Sequence, residues 1–175
     1  MKKNKGFSLV ELIIVIAIMA ILAAAIAPAL IRYIDKSRRA DDVTAAGTIN
    51  SSMTAALANE DIYDEIFAIS AGKVVMAANE GAAEWTIEDT VKGKGGQLAK
   101  EMNSSCPPPK IKFKKAIEAA DTYTNKDFTP GAWAVAVSKE GKPLVYICAS
   151  GQAASGEITG VTGVQLQPSI DKAYK

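Results

Sequence analysis

The run KGFSLVELIIVIAIMAILAAAIAPAL, Lys5 to Leu30, decides how the rest of the chain is read. From Leu12 to Ile31 there are twenty residues without a charge. At ~1.5 Å per residue, a helix of that length covers about 30 Å, the thickness of a bilayer's hydrocarbon core. Lys2, Lys3 and Lys5 precede the run, and Arg32, Lys36, Arg38 and Arg39 follow it, so flanking charge alone does not orient it. One carboxylate, Glu11, stands at its start, five residues after Gly6. An acid in a spanning helix costs several kcal/mol and normally has a partner, so a plain anchor leaves Glu11 unexplained. A secretory signal is a poor fit too. It needs an apolar core of about 7–15 residues and a small-residue cleavage site. Ala25-Ile26-Ala27 offers the site, but the run is too long, Glu11 intrudes, and Pro28 would follow the cut.

The totals narrow the function. A chain of 175 residues holds one modest domain plus one extra element. Lys and Arg number 20 and Asp and Glu 19; without the three N-terminal lysines, 17 cations face 19 anions, a net −2. A near-neutral body with no basic run interleaved with aromatics argues against specific nucleic-acid binding. The absence of histidine removes the commonest general base, the serine and cysteine triads and most zinc sites. Lys92–Gly96 is glycine-rich, but no Ser or Thr follows and no apolar strand precedes it, so it reads as a surface turn. Glu60, Asp61, Asp64 and Glu65 lack a repeating ligand spacing and read as a solvated helix face. No catalytic residue, cofactor or metal is expected.

Lys-Gly-Phe-Ser-Leu-Val-Glu-Leu, at positions 5 to 12, resembles the leader junction of type IV pilins and type II secretion pseudopilins. The resemblance covers roughly the first 35 residues. It implies that a membrane peptidase removes residues 1–6 by cutting after Gly6, that the new N-terminal Phe7 is methylated, and that Glu11, fifth in the mature chain, sets register during assembly. A glycine lets the protease approach the backbone, and the lysines hold the leader at the cytoplasmic face. The freed amine, with a reference pKa of about 8, is cationic at neutral pH. Glu11 lies about one turn away and pairs with its own amine or, as the family implies, with that of the next subunit. Such a pair in an apolar filament supplies register rather than bulk stability. A headgroup-reaching carboxylate is the competing reading of Glu11. Pro28 matches the family's helix proline and is expected to kink the helix by freeing the carbonyl of Ala24.

The implied fold is α+β: a long N-terminal helix, with a protruding apolar half and an amphipathic half, packed on a C-terminal antiparallel sheet of three to four strands. The expected divisions are a leader at 1–6, a transmembrane and assembly helix at 7–34, and a head at 35–175. Within the head, 35–58 is amphipathic helix, 59–109 a variable linker, and 110–175 sheet and C-terminal segment. Ala40, Val43, Ala46, Ile49, Met53 and Leu57 form the expected apolar stripe, with Asp41 and Asp42 on the other faces. Asp61–Ile69 reads as a helix with Ile62, Ile66 and Ile69 inward, Val74–Ala77 as a short strand, and Gln97–Met102 as a helical turn. Lys110–Lys114 alternates as a first strand after the stiff Pro107-Pro108-Pro109. Ala132–Val137 and Leu144–Ala149 read as a hairpin, and Ile158–Leu166 as an edge strand. Trp133 and Tyr146 are expected against the long helix.

Cys106 and Cys148 would lie on the exported side, where a disulfide is permitted. Pilins commonly close a C-terminal disulfide loop, although it usually ends nearer the terminus; 27 residues follow Cys148. Pairing and two buried free thiols are the two readings.

The resemblance implies a structural subunit that polymerises with copies of itself into a surface filament for adhesion, motility or DNA uptake. Its implied partners are the prepilin peptidase and N-methyltransferase, an assembly ATPase, a membrane platform protein and minor pilins. The subunit would wait in the cytoplasmic membrane, N-terminus inside, and end in an extracellular pilus. A pseudopilin of a secretion or competence system is the near alternative, and a non-polymerising, single-span anchored binding protein the alternative from another class.

Overall fold

The computed structural model describes residues 7–70, 73–87, 96–118, 126–151 and 163–174. The chain divides into two compact units, Met1–Ser37 and Arg38–Lys175. Helix α1, Leu9–Ala56, carries through both, and Pro28 lies inside it without interrupting the assigned helix. In the first unit every residue from Phe7 to Ile34 is exposed. These side chains are mostly Leu, Ile, Val and Ala, so the helix there is apolar around most of its circumference.

In the second unit α1 becomes one-sided. Its buried positions are Asp42, Ala46, Ile49, Met53 and Ala56, at helical steps of three and four. Helix α2 (Glu60–Ser70) adds Ile62 and Ile66 to the same core. The side chain of Ile69 lies outside the described residues. Helix α3 (Gly96–Ser105) adds Leu98 and Met102.

The sheet has five antiparallel strands: β1 (Lys73–Asn79), β2 (Thr86–Ile87), β3 (Pro130–Val137), β4 (Pro143–Ala149) and β5 (Gly163–Gln167). Their spatial order is β2-β1-β3-β4-β5. The sheet therefore draws two strands from the stretch expected to be a linker. The segment 110–114 forms no strand, although Ile111 and Phe113 are buried and Lys110, Lys112 and Lys114 exposed as its alternation requires. Its amides at Lys112 and Phe113 are taken by the Asp42 carboxylate instead of a neighbouring strand. The expected edge strand begins later, at Gly163; residues 152–162 lie outside the described residues.

Strand parity decides what each face carries. Trp133, Val135 and Val137 of β3, with Val145 and Ile147 of β4, join α1 and α2 in the main core. Ala132, Ala134, Ala136, Tyr146 and Cys148 form a second cluster on the opposite face. A register shift between Val74 and Met76 leaves Val75 as an extra residue, which places Val75 and Met76 together in the main core. Tyr146 thus does not meet the long helix. It pairs across from Ala134 and donates its hydroxyl to Gln165 at 3.4 Å. Trp133 does lie on the helix side, and its indole N–H donates to the carbonyl of Pro109 at 2.7 Å. Trp85 likewise donates to the carbonyl of Cys106 at 2.7 Å. The two indoles tether a proline-rich segment that has few amides of its own to offer.

The same parity separates the cysteines. Cys106 belongs to the main core and Cys148 to the cluster behind the sheet, and both are free thiols. Of the two readings, the structure has the free thiols: Cys148 faces the side of the sheet opposite the core that holds Cys106. Cys148 donates its thiol to the carbonyl of Ala132 at 3.4 Å, and burial pushes its pKa up to about 12. Burial also raises that of Cys106, opposed by a hydrogen bond with Ser52. A raised pKa removes thiolate, the reactive form. Native protein at pH 8 is expected to resist a maleimide reagent over hours and to take up two equivalents once unfolded in denaturant. Mass spectrometry reads the count, and a single Cys106–Cys148 crosslinked species would contradict this arrangement.

Candidate assembly site at the helix start

The local sequence Phe7-Ser8-Leu9-Val10-Glu11 ends an extended segment and begins a helix. Ser8 is the last residue before α1, and its carbonyl accepts the N–H of Leu12 at 3.2 Å. The carboxylate of Glu11 reaches back and accepts the backbone N–H of Ser8 at 2.9 Å through Oε2. This is half of the reciprocal Ser-x-x-Glu box that closes helix N-termini. It satisfies a backbone donor at the start of the helix. It also sets a negative charge where the helix dipole favours one, a gain of about 0.3–1 kcal/mol in solvent-exposed helices. The Ser-x-x-Glu spacing is visible in the sequence at positions 8 to 11, but a capping contact was not among the roles expected of Glu11, which were an amine pair and a headgroup-reaching carboxylate.

Phe7 is 84% exposed and the large apolar residues that follow it up to Ile34 are all exposed within the chain. The helix is long and apolar enough to cross a membrane, by length and composition, and none of its most apolar window is buried. Glu11 is the only acid among the described residues before Asp35. Phe7, Ser8 and Glu11 are therefore gathered at one end of an apolar cylinder, with the acid already bonded to its own backbone. Gly6, the other residue singled out from the sequence, lies outside the described residues. Pro28 is 17 residues beyond Glu11 on the same helix and belongs to a different part of the apolar surface.

Residues 1–27 match the family model described as the prokaryotic N-terminal methylation motif. That motif is the hallmark of type IV pilin and pseudopilin precursors. The long apolar N-terminal helix followed by a five-stranded antiparallel sheet is an α+β, pilin-like architecture. The apolar helix and the motif fit a membrane-anchored precursor. No solved structure matches the chain.

A second polar site was not anticipated. Asp42, expected on a solvated face, is fully buried. It fills the position one turn before Ala46 in the helix's inward stripe, where its carboxylate accepts three hydrogen bonds from 110–114 and the C-terminal segment. The spacing 42-46-49-53 put it on that stripe, but an acid there is read as solvent-facing unless donors are known.

The capping geometry makes a specific expectation at Ser8. Ser8→Gly retains the Glu11 contact to the backbone and should cost a few tenths of a kcal/mol, whereas Glu11→Ala removes that contact and its charge and should cost about 0.3–1 kcal/mol at the helix start. Amide exchange of Leu9 to Leu12 in detergent micelles distinguishes them: faster in Glu11→Ala, near wild type in Ser8→Gly.

Proposed function

We propose that this chain is a structural subunit of a type IV pilus. In this reading a prepilin peptidase cuts between Gly6 and Phe7, the new amine is methylated, and mature subunits polymerise through residues 7–34 into a surface filament. The observation that carries the proposal is the coincidence of the methylation motif over residues 1–27 with a capped helix and an apolar surface from Phe7 to Ile34 that has no cover among the described residues. The role is mechanical: the helix serves first in lipid and then among copies of itself. Lipid tails are as apolar as the helix, so close packing and polar contacts supply the preference for helix partners. The Phe7 amine and the Glu11 carboxylate are the charges able to fix one subunit against the next. Partners on this reading are the peptidase and methyltransferase, an assembly ATPase, a membrane platform protein and minor pilins.

The test is mass spectrometry of the N-terminal peptide from protein sheared off cells. A peptide starting at Phe7 with the mass of one added methyl is expected. A peptide starting at Met1, in protein that stays in the membrane fraction, would favour an anchored single-domain protein instead. Glu11→Ala should still yield the Phe7 terminus but few filaments by electron microscopy, and abundant filaments from that variant would remove Glu11 from the register role.

A further inference from the structure

Two weakly anchored segments of the second unit meet at one polar contact. The first is the stretch of α1 from Arg38 to Ala46. Ala40 is exposed, Val43 and Ala45 are only half-buried, and Ala46 is the one fully buried apolar side chain there. The large inward residues, Ile49 and Met53, come a turn or more later. The second is residues 168–174, beyond the cis Gln167–Pro168 bond. Pro168 and Ser169 are exposed and Ile170 and Asp171 half-buried. Asp171 donates its N–H to the carbonyl of Gln165 at 2.9 Å, which turns the chain away from β5 and into the 3-10 turn Lys172–Tyr174.

Tyr174 is where the two segments join. It is 2% exposed, and its hydroxyl donates to Oδ2 of Asp42 at 2.7 Å. The N–H of Lys112 donates to Oδ1 at 2.7 Å and that of Phe113 to Oδ2 at 2.9 Å. The Phe113 and Tyr174 rings meet edge-on with centroids 5.9 Å apart. The Arg39 guanidinium, one turn before Asp42, lies 4.3 Å from the Phe113 centroid and 5.7 Å from that of Tyr174. Burial, then the hydrogen bond and charge of Asp42, hold the phenol protonated against the opposing pull of Arg39. It remains a donor throughout the range in which the protein is handled.

We infer that residues 168–174 are a strap that clamps the first turns of the head half of α1 onto segment 110–114 through Tyr174 and Asp42, and that the strap opens locally while the sheet stays folded. Hydrogen bonds to a charged group are the strong kind, so the clamp holds although little apolar area lies beneath it. The β3–β4 pair is its opposite. All eight residues of β3 are buried and its ladder is flanked on both sides. Local opening at the strap therefore costs much less than opening the sheet. With the strap released, residues 38–46 leave 110–114 while Ile49 and Met53 keep the helix docked. The carboxylate of Asp42 then passes to water, which removes the penalty of leaving it buried without donors.

The inference is independent of the pilin reading, because it concerns the head alone. Hydrogen exchange measured by mass spectrometry on the full chain in detergent tests it. Tyr174→Phe keeps the ring against Phe113 and Arg39 and removes only the hydroxyl. Amides of 38–46, 110–114 and 168–174 should then exchange roughly 10- to 100-fold faster, with those of β3 and β4 unchanged. Tyr174→Ala should enlarge the effect in the same three segments. Equal acceleration in β3 and β4 would make Tyr174 an ordinary core residue, and no change anywhere in Tyr174→Phe would remove the clamp. If Tyr174→Ala does not fold, Tyr174→Phe alone decides between these results.

Discussion

The apolar surface from Phe7 to Ile34 has no cover among the described residues, and a surface of that size needs an apolar environment. Twenty uncharged residues in succession cannot be left in water, because burying a single Leu or Ile is worth about 1.5–3 kcal/mol. The two environments able to accept that surface are lipid and other apolar helices. Each asks for something that this helix has. Lipid requires every backbone group to be bonded within the segment, and a continuous helix from Leu9 does this except at its first turn and around Pro28. The first turn is where Glu11 takes the Ser8 N–H. The acid that looked anomalous in an apolar run thus serves the backbone of that run.

The head follows a different rule, because its helix face is chosen by one sheet face. β3 places Trp133, Val135 and Val137 toward α1 and three alanines behind. The cores differ in size accordingly: large side chains where the helix packs, small ones on the reverse. Asp42 is the exception on the helix side, and its donors explain why it is tolerated. A buried carboxylate without partners would cost several kcal/mol, but here two backbone amides and a phenol are aimed at it. The two amides belong to a segment with strand-like alternation and no strand partner at that point. The carboxylate supplies what a neighbouring strand would have supplied.

Much of this was legible in the sequence, and the failures share a cause. The long helix followed from period 3.6, the β3–β4 hairpin from two apolar runs around Glu140-Gly141, and the helix Glu60–Ser70 from Ile62 and Ile66. The misplacement of Tyr146 arose because LVYICA is apolar at every position, so alternation gave no sign of which set faces the helix. The same ambiguity hid the separation of Cys106 from Cys148, since parity decides the side on which a strand cysteine lies. Lys110–Lys114 alternated cleanly, and the burial agrees, but periodicity describes which side chains turn inward and not what the amides bond. Asp42 was missed because its partners are 70 to 132 residues away in sequence. The methylation motif was legible for the opposite reason: it lies entirely within residues 1–27.

The capping role of Glu11 and its proposed role in register do not compete. The Ser8 N–H occupies Oε2, and an ionised carboxylate has about four acceptor positions. Oε1 is able to meet a cationic amine while the cap persists. The cap also restricts where the carboxylate can be. A glutamate in a helix is free to sample several rotamers, and ordering it costs up to about 1.5–2 kcal/mol. A carboxylate already folded back onto Ser8 has lost most of that freedom before a second subunit arrives. Register set by a charge pair is only as sharp as the position of the charge. An acid tied to the first turn of its own helix samples fewer positions than the same acid placed mid-helix, which would swing on its side chain. The Ser-x-x-Glu spacing thus restrains a charge that would otherwise be mobile, which is what the proposed register role would require of it.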